Sequence, residues 1–563
     1  MAHTRRLRHD DGSFELPEPI RHHILSFLKP KESAKLSLLS KGWLTTWRTR
    51  PNLHFEYDED ESGSDDRQAL ERRRDSFINC INTTLMRYRE NKYGIDSLKL
   101  MVYNEDFPSL KPDHVKTWLG IAAENGVKGL EISLKCDSYH PKLARTIFEA
   151  TSLVELYLSE KIYMKHKMIK IIRCHDLRKL CLNKVGLDEV MLQRIMSSCP
   201  SIEFLEIIQC LGIENIEVTK LQKLKQCSIV LWKIGNVEVE APNLEDFSYG
   251  TCVPAMPASY LLSEEEEQPL PCLQVSRCKN LRKLSLDNIG ITDEFFSGIA
   301  EDFQHLEELK IRYCYGLQTV RISSQSIKLI NLEFRKEGGL KEAQIDVPSI
   351  VRFEYRGNFI PLLSFAPPSG PWVSYIELSW QNRNILETSC FSELKELLMK
   401  LNLSEISLRI IFPKNVEGFV EDQIRNKAIY PLPQVQTLSI SFDKANCLDV
   451  AYSVLDGIFW TCRPKTIVQH SCQDLDSHKD ASDLLNVFFQ MLMLRRNHLY
   501  GNFQQTKFWQ EDLKDVKLGM FKEGQRVQLP RLSDWEAFSK VITAEGRSLY
   551  VVFELEWEYF MIR

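Results

Sequence analysis

Residues 281–314 read LRKLSLDNIGITDEFFSGIAEDFQHLEELKIRYC, in which two copies of an L-x-x-L-x-L motif flank one connecting segment. The alternating apolar residues of each motif predict a short strand with one buried face, and one strand alone cannot bury that face. In the connecting segment Thr292 is placed to cap a helix, and Phe295, Phe296 and Ile299 supply its inner face. The stretch therefore predicts units of strand and helix that stack side by side.

The same motif recurs along much of the chain, and neighbouring clear copies are about 21 to 26 residues apart, the spacing of leucine-rich repeats. Clear copies lie at 127–132, 153–158, 177–182, 201–207, 281–286, 306–311, 404–408 and 435–440. The wider gap that follows the fourth copy predicts a degenerate copy in LKQCSIV, which begins at residue 224. Stacked units of this kind place a curved parallel sheet inside and helices outside, so we predict an α/β leucine-rich-repeat solenoid over 95–440.

The cysteines fit this repeat pattern. SIEFLEIIQC at 201–210 and LEELKIRYC at 306–314 resemble the cysteine-containing class of leucine-rich repeats, so Cys210 and Cys314 are predicted to fill small buried sites where a strand turns away. The chain has 15 cysteines, mostly single within apolar segments, and its first residues lack the apolar core of a signal peptide. We therefore expect free buried thiols rather than disulfides.

Composition and charge restrict the classes of partner. The net charge is −5, and the first 50 residues carry +5 (10 Lys and Arg against 5 Asp and Glu), so the rest of the chain carries −10. This asymmetry is too weak for the dense basic face of a nucleic-acid-binding protein. The longest apolar stretch, LLNVFFQMLML at 484–494, is too short to span a membrane. We expect a protein of the nucleus and/or cytoplasm, with neither a nucleic-acid nor a membrane partner.

The N-terminal stretch 14–55, FELPEPIRHHILSFLKPKESAKLSLLSKGWLTTWRTRPNLHF, has a different pattern. One helical face carries Leu16, Ile20, Ile24 and Leu28, and a first helical turn accepts Pro17 and Pro19. Pro30 is expected to end this helix, and Ser33 to cap a second helix that carries Leu36, Leu39 and Trp43. Because about forty residues bury little surface alone, an exposed apolar face here implies a partner.

This pattern resembles an F-box, the helical module by which subunits of cullin-based ubiquitin ligases dock on a Skp-type adaptor. In F-box proteins the Leu-Pro pair and the following apolar positions insert into the adaptor, and a Ser-Lys-x-Trp segment closes a three-helix module. The resemblance implies adaptor contacts by Leu16, Pro17, Ile20, Ile24, Leu28, Ser40, Lys41 and Trp43, and through the adaptor a cullin. Pro19 and Gly42 depart from the family pattern, and a glycine inside a helix costs about 1 kcal/mol relative to alanine, which predicts weaker docking.

The whole arrangement resembles the plant F-box/leucine-rich-repeat proteins as far as about residue 440. We predict an F-box at 14–55, an acidic linker and a connecting helix at 56–94, and the solenoid at 95–440. Residues 441–563 no longer show the motif clearly. They are expected to form either degenerate repeats that cap the solenoid or a small α+β unit.

No catalytic constellation is found in the sequence. The chain lacks a Gly-rich phosphate loop, a Gly-x-Ser-x-Gly elbow and a His-Glu-x-x-His motif. Cys462, His470, Cys472 and His478 lie close together, but their spacing fits no standard zinc pattern. We therefore predict a non-enzymatic protein without catalytic residues, bound metal or cofactor.

The repeat register predicts a candidate target-binding surface. The residue after the last apolar position of a motif is expected to face the concave side of the sheet, and this position is assigned to Asp287, Arg312, Arg335, Arg356 and Arg409, with Lys310 two residues before Arg312. Since parallel strands lie about 4.8 Å apart, the arginines would form a ladder that suits an acidic target. The competing interpretation is cross-strand ion pairing with Glu333 and Glu354, which contributes little energy.

The family resemblance and the repeats together predict a substrate-recognition subunit of an SCF (Skp–cullin–F-box) ubiquitin ligase that holds an unidentified protein target through the solenoid. Two alternatives stay open. One is a ligand-sensing receptor of the auxin- and jasmonate-receptor type. Those receptors hold an inositol phosphate under a hormone pocket, and an arginine ladder is compatible with such a site. The pocket residues of those receptors cannot be aligned here, so no cofactor is transferred. The other is a repeat scaffold that no longer engages the ligase.

Overall fold

The computed structural model describes residues 16–58, 67–104, 107, 110–135, 141–160, 162–167, 169–233, 235–252, 273–275, 277–296, 298–334, 340–380, 388–412, 432–442, 448–470, 484–493, 509–522, 525–527, 535–545 and 549–558. The chain divides into two compact units. Unit 1 comprises Met1–Glu267 and Pro271–Cys278, and unit 2 comprises Gln268–Leu270 and Lys279–Arg563. Most of the predicted acidic linker lies outside the described residues.

The helices described in unit 1 are α1 (Glu18–Ser26), α2 (Pro30–Leu36), α3 (Lys41–Arg48), α4 (Arg67–Asn91), α5 (Pro112–Glu124), α6 (Pro141–Phe148) and α7 (Glu189–Ser198). The first three form the N-terminal helical module, and α4 is the predicted connecting helix. The module differs in one detail from the expectation. Pro30 begins the second helix instead of only ending the first, because proline is favoured in a first turn, where the missing N–H has no helical partner.

The strands of unit 1 are β1 (Asn52–Tyr57), β2 (Ser97–Val102), β3 (Gly129–Leu134), β4 (Glu155–Ser159), β5 (Tyr163–Met164), β6 (Lys179–Asn183), β7 (Gly186–Leu187), β8 (Phe204–Ile208), β9 (Ile216–Val218), β10 (Gln226–Leu231), β11 (Val237–Val239), β12 (Asp246–Thr251) and β13 (Leu273–Gln274). The main sheet pairs β1, β2, β3, β4, β6, β8, β10 and β12 in that order, all parallel. Strand β10 is the degenerate copy predicted near residue 224. The sheet begins at Asn52, within the range predicted for the F-box.

The elements of unit 2 are β14 (Lys283–Asp287), α8 (Ile299–Asp302), β15 (Glu308–Arg312), β16 (Thr319–Ser323), β17 (Leu329–Phe334), β18 (Glu342–Asp346), β19 (Arg352–Gly357), β20 (Leu362–Phe365), β21 (Trp372–Ser379), α9 (Thr388–Lys400), β22 (Ser404–Phe412), β23 (Gln434–Phe442), α10 (Leu448–Thr461), β24 (Arg463–His470), β25 (Leu513–Lys522), β26 (Gln525–Arg526), α11 (Trp535–Glu545) and β27 (Leu549–Trp557). Short 3₁₀ segments lie at Asp293–Phe296 and Trp509–Glu511, and a π-helical turn at Phe489–Met493. No helix in the described part of the chain is both long and apolar enough to cross a membrane.

The main sheet of unit 2 is parallel from β14 to β24 and antiparallel at its end. Strands β14, β15, β17, β19, β21, β22, β23 and β24 pair in that order. Strand β27 then pairs antiparallel with β24 and with β25. The described residues of 441–563 thus add one more parallel strand and an antiparallel closure to the same sheet, while the predicted domain bounds stay a prediction.

The predicted α/β fold with a parallel repeat sheet is confirmed, but the connecting segments are only partly helical. Several of them carry short strands, which form three small parallel sheets, β5–β7, β9–β11–β13 and β16–β18–β20. Their sequences alternate with a period of two, as in TVRIS, where Val320 and Ile322 are buried. The segment expected to form a helix capped at Thr292 is instead the 3₁₀ turn Asp293–Phe296 followed by the four-residue α8.

The repeats leave their strands in the same way. The residue after the strand has a positive φ in β4, β6, β8, β14 and β15, namely Glu160, Lys184, Gln209, Asn288 and Tyr313. Its N–H continues the ladder to the next strand, as from Gln209 to the carbonyl oxygen of Val230 at 2.7 Å. The predicted burial of Cys210 and Cys314 after this turn is confirmed. Their thiols donate to carbonyl oxygens of the preceding repeat, Leu182 at 3.4 Å and Leu286 at 3.6 Å.

Candidate docking surfaces

The three N-terminal helices are capped by their own sequence. Pro17 is the N-cap residue of α1, and its carbonyl oxygen accepts from the N–H groups of Ile20 and Arg21. Ser40 caps α3, and its hydroxyl oxygen accepts from the Trp43 N–H at 3.2 Å. This geometry gives the Leu-Pro and Ser-Lys-x-Trp segments a structural role at two helix starts.

The second helix corrects the predicted cap. Ser33 is a buried residue inside α2, whose N-cap is Lys29. The Lys29 N–H donates to the Glu32 carboxylate at 3.3 Å, as in a capping box. Leu36, Leu39 and Trp43 therefore do not share one helix, because α2 ends at Leu36 and α3 begins at Lys41.

The residues predicted to contact an adaptor are all at least partly exposed to solvent. Among the residues predicted to contact an adaptor, Pro17, Ile20, Ser40 and Lys41 are exposed, and Leu16, Ile24, Leu28 and Trp43 are half-buried. The structure adds three exposed apolar side chains, Phe27, Leu38 and Leu39. Sequence reasoning named only Leu39, and placed it on the second helix. Leu38 and Leu39 lie in the turn before the Ser40 cap, so a correct assignment of that cap was the signal that could have found them.

Polar contacts hold the module together and fix it to α4. The Nε2 atom of His22 in α1 lies 3.2 Å from the Thr46 carbonyl oxygen and 3.2 Å from Thr49 Oγ1, at the end of α3. Beyond α3, the Tyr88 hydroxyl of α4 donates to the Arg50 carbonyl oxygen at 2.5 Å. Tyr88 is fully buried, and burial raises the pKa of its phenol to about 12. These contacts set the position of the exposed apolar face relative to α4.

Gly42 lies in the first turn of α3 rather than in the middle of a helix. Its carbonyl oxygen accepts from the Thr46 hydroxyl at 2.9 Å. The penalty of about 1 kcal/mol applies to helix interiors, so the cost of this glycine is smaller than the sequence predicts.

The second surface is a row of charged residues across the sheet of unit 2, which we call the charged row. The strand register aligns one residue from each of β14, β15, β17, β19, β21 and β22, namely Asp287, Arg312, Glu333, Arg356, Glu377 and Arg409. The signs alternate along the row. The predicted ladder of neighbouring arginines is therefore wrong.

The error comes from β17. Arg335 was placed in the row because it follows the last apolar residue of the strand. The buried face of this strand carries Phe334 after Ile330 and Leu332, so the count was shifted by two positions. The register puts Glu333 between Arg312 and Arg356. Arg335 lies outside the described residues.

Each described arginine of the row lies against carboxylates or an aromatic ring. Arg312 donates to Asp287 at 2.6 Å. Arg356 has its guanidinium nitrogens 3.8 Å from Glu333, 3.5 Å from Glu354 and 3.7 Å from Glu377. Burial raises the pKa of the Tyr375 phenol, and the Arg409 guanidinium opposes this shift. The competing interpretation, cross-strand ion pairing, thus describes the geometry of the row, while its part in target binding stays a prediction.

Burial changes the acid–base behaviour of the row. Desolvation raises the pKa of the Asp287 carboxyl even though Arg312 lies beside it and opposes the shift.

A neighbouring row, two residues earlier in each strand, carries Lys310, Asn331 and Glu354. The Asn331 amide donates to Glu354 at 2.7 Å, and Arg352 donates to the other oxygen of the same carboxylate at 2.5 Å. The carboxylates are therefore held in fixed positions by charge-assisted hydrogen bonds.

The four residues weighed as a metal site are only partly described. Cys462 is buried, and burial raises the pKa of its thiol to about 12. His470 ends β24, whereas Cys472 and His478 lie outside the described residues. In the described part of the chain no group of three or more His, Cys, Asp or Glu side chains is arranged to hold a metal ion.

Comparison with family models matches both parts of the architecture. Residues 14–55 match the F-box domain, and residues 88–265 match the LRR domain of At1g61320/AtMIF1. The F-box match covers α1 to α3 and most of β1. The LRR match begins at the end of α4 and covers most of unit 1.

Curated relatives from Arabidopsis thaliana show the same combination in their names. The chain is 30% identical over 221 residues to the putative F-box/FBD/LRR-repeat protein At4g00315, covering 38% of this chain and 47% of that protein. It is 26% identical over 244 residues to the F-box/LRR-repeat protein At2g42720, covering 42% and 52%. It is 24% identical over 455 residues to the putative FBD-associated F-box protein At1g05080, covering 76% and 96%. The chain thus spans about half the length of the first two relatives and nearly all of the third.

Proposed function

We propose that this chain, an F-box domain followed by leucine-rich repeats, is the target-binding subunit of an SCF-type ubiquitin ligase. The F-box would dock on a Skp-type adaptor and through it on a cullin, and the repeats would hold a protein target. The subunit itself would carry out no chemistry, because its part in the transfer is to bring the target close to the ubiquitin-loaded partner. We propose the nucleus and/or cytoplasm as its location.

The observation that carries this proposal is the exposed apolar face of the N-terminal module. Phe27 is 75% exposed, Leu38 85% and Leu39 67%, and Ile20 on α1 is 46% exposed. Four exposed large apolar side chains on so small a module favour a protein partner that covers them. The helix-in-groove mode of binding suits such short amphipathic helices.

The proposed adaptor contacts are the residues of the family pattern, Leu16, Pro17, Ile20, Ile24, Leu28, Ser40, Lys41 and Trp43. To these we add Phe27, Leu38 and Leu39. Burying a leucine or phenylalanine side chain contributes about 1.5–3 kcal/mol, so a few such residues can supply most of a stable docking energy.

Co-purification of the full chain with a Skp-type adaptor tests the proposal. Wild type is expected to retain the adaptor, and Leu16→Ala/Pro17→Ala and Leu38→Ala/Leu39→Ala are each expected to lose it. Val190→Ala is the matched control, because Val190 is an apolar residue of unit 1 that is exposed outside the module. Equal recovery of adaptor with wild type and both double variants would refute docking through this module. No recovery with wild type would leave a repeat scaffold uncoupled from the ligase.

A further inference from the structure

The ion pairs of unit 2 are layered, with carboxylates below and cations above. The exposed fraction of the side chain is 4% for Glu333, 9% for Glu354 and 17% for Glu377. The cations that contact them are more open, 32% exposed for Arg356 and 53% for Arg352. A partner that approaches this face of the sheet therefore meets guanidinium groups before it meets their counter-ions.

The same layering holds for one of the two ion pairs of β15. Lys310 is 38% exposed, whereas Glu308, with which it pairs, is 19% exposed. Arg312 is 40% exposed and Asp287 35%, so this pair is about equally open. Lys310, Arg312, Arg352 and Arg356 are thus four accessible cations of the network.

The buried carboxylates make these cations good ligands for an incoming anion. The guanidinium of Arg352 is oriented by the buried Glu354 carboxylate at 2.5 Å, and that of Arg356 lies against Glu333, Glu354 and Glu377. An arginine has five N–H donors, so a guanidinium that donates to one carboxylate, as that of Arg352 does, keeps donors for a second anion. Because the side chains are already ordered, binding a second carboxylate costs less rotamer entropy than binding to a free surface arginine.

The spacing of the cations fits an extended chain. Lys310 and Arg312 lie on the same face of β15, two residues and about 6.8 Å apart. Side chains two residues apart in an extended peptide have the same spacing. Arg356 lies two strands away in the same row, about 9.6 Å from Arg312. Acidic side chains at alternate positions of an extended segment can therefore reach neighbouring cations.

We infer that the sheet face of unit 2 formed by Lys310, Arg312, Arg352 and Arg356 binds an extended, aspartate- and glutamate-rich segment of the target protein. This inference rests on the proposed function, since it names the chemistry of the target that the ligase subunit would hold. The chain carries a net charge of −5. General attraction therefore does not bring acidic segments to it, and a local site is required.

The binding of a fluorescein-labelled decaglutamate peptide to the full chain, followed by fluorescence anisotropy, tests the inference. Lys310→Gln/Arg312→Gln removes two of the four cations and is expected to weaken binding about tenfold. Arg356 is left in place because it contacts three carboxylates, so its removal would disturb the fold. Thermal unfolding of the variant checks that its structure is kept.

Arg321→Gln/Lys341→Gln is the matched control. It removes an equal number of positive charges at Arg321 in β16 and at Lys341 just before β18, where both side chains are exposed. This variant is expected to bind the peptide like wild type. A decalysine peptide of equal length is expected not to bind.

Salt gives a second measurement on the wild-type chain alone. Raising sodium chloride from about 50 mM to about 500 mM is expected to weaken binding of decaglutamate at least tenfold, because partly exposed ion pairs are screened. Salt-independent binding, or equal binding by wild type and Lys310→Gln/Arg312→Gln, would overturn the inference. A phosphoserine peptide that binds far more tightly than decaglutamate would overturn the choice of carboxylates as the target chemistry.

The outcomes separate from those of the proposed function. Adaptor capture by Lys310→Gln/Arg312→Gln is expected to equal that of wild type, because both substitutions lie in unit 2 and the adaptor contacts lie in the N-terminal module. Loss of peptide binding with intact adaptor capture supports the inference. Intact adaptor capture by a wild-type chain that does not bind decaglutamate would refute the inference and leave the F-box role standing.

Discussion

The N-terminal module and the repeat sheets are both rich in leucine, but they place it in opposite environments. In the repeats Leu284 is 1% exposed and Leu309 is fully buried, because each strand lies beside the next copy of itself. In the module Leu38 and Leu39 are 85% and 67% exposed. The repeats therefore complete their own core by stacking, whereas the module leaves an apolar face open.

This difference separates a structural use of leucine from a binding use. A repeat sheet is stabilised by interfaces between neighbouring units, so the loss of one buried side chain weakens the sheet. The exposed leucines of the module add little to the stability of the free chain, and their free energy of burial becomes available only when a partner covers them. Substitutions in each region test this difference.

The largest effect is expected in the core of the repeats. Leu309→Ala leaves a cavity between Leu284 and Ile330 in the register and is expected to lower the free energy of unfolding by about 2–5 kcal/mol. Leu38→Ala, the same substitution at an exposed site, is expected to change it by less than about 0.5 kcal/mol. Thermal and urea denaturation of both variants measure the difference. Equal destabilisation by the two would break the contrast between the regions.

A smaller effect is expected in the turn at Gly316, in the connection that follows β15. Gly316 has a φ of 86°, and a Cβ atom there would lie 2.9 Å from the Ile291 carbonyl oxygen. Gly316→Ala is expected to cost about 1–2 kcal/mol, because the left-handed conformation disfavours a Cβ atom. Gly370→Ala is the matched control, because nothing lies within 4 Å of the Cβ atom it would add. If both variants melt at the temperature of wild type, the turn does not constrain the repeat.

The smallest effect at neutral pH is expected where the two regions meet. Tyr88→Phe removes the hydrogen bond to the Arg50 carbonyl oxygen and is expected to cost about 1 kcal/mol at pH 7. Burial raises the pKa of Tyr88 to about 12, so the folded chain keeps this phenol protonated while the unfolded chain loses the proton near pH 10.

The stability contributed by neutral Tyr88 is therefore fully present below about pH 10 and falls as the pH rises toward 12, by about 1 kcal/mol at pH 11. Urea unfolding of wild type and Tyr88→Phe at pH 7, 9, 10 and 11 measures this. The wild-type advantage is expected to vanish by pH 11. An advantage that stays constant over this range would show that Tyr88 titrates normally in the folded chain.

The sequence was most informative where one pattern repeats. The L-x-x-L-x-L motif predicted the parallel strands, because an alternating apolar face has to be buried by a neighbouring copy. It missed β21, where Trp372, Ser374 and Ile376 stand on the buried face before the single leucine, Leu378. It also missed the strands in the connecting segments. In both cases the period of two was present without the leucine signature.

The sites were harder to predict than the fold. The charged row depends on register, and the extra apolar residue Phe334 moved the count from Glu333 to Arg335, so an alternating row was predicted as an arginine ladder. In the module, Ser33 and Ser40 both resemble caps in sequence, and only the favoured position of Pro30 in a first turn distinguishes them. A shift of one or two residues leaves a fold assignment intact and changes which side chains share a surface.

Hydrogen–deuterium exchange of the full chain with and without a purified Skp-type adaptor tests the central claim most directly. We expect the adaptor to protect backbone amides in the N-terminal module, residues 16–50, and to leave the strands of unit 2 unchanged. Protection confined to the repeats, or no protection of residues 16–50 at saturating adaptor, would contradict the account.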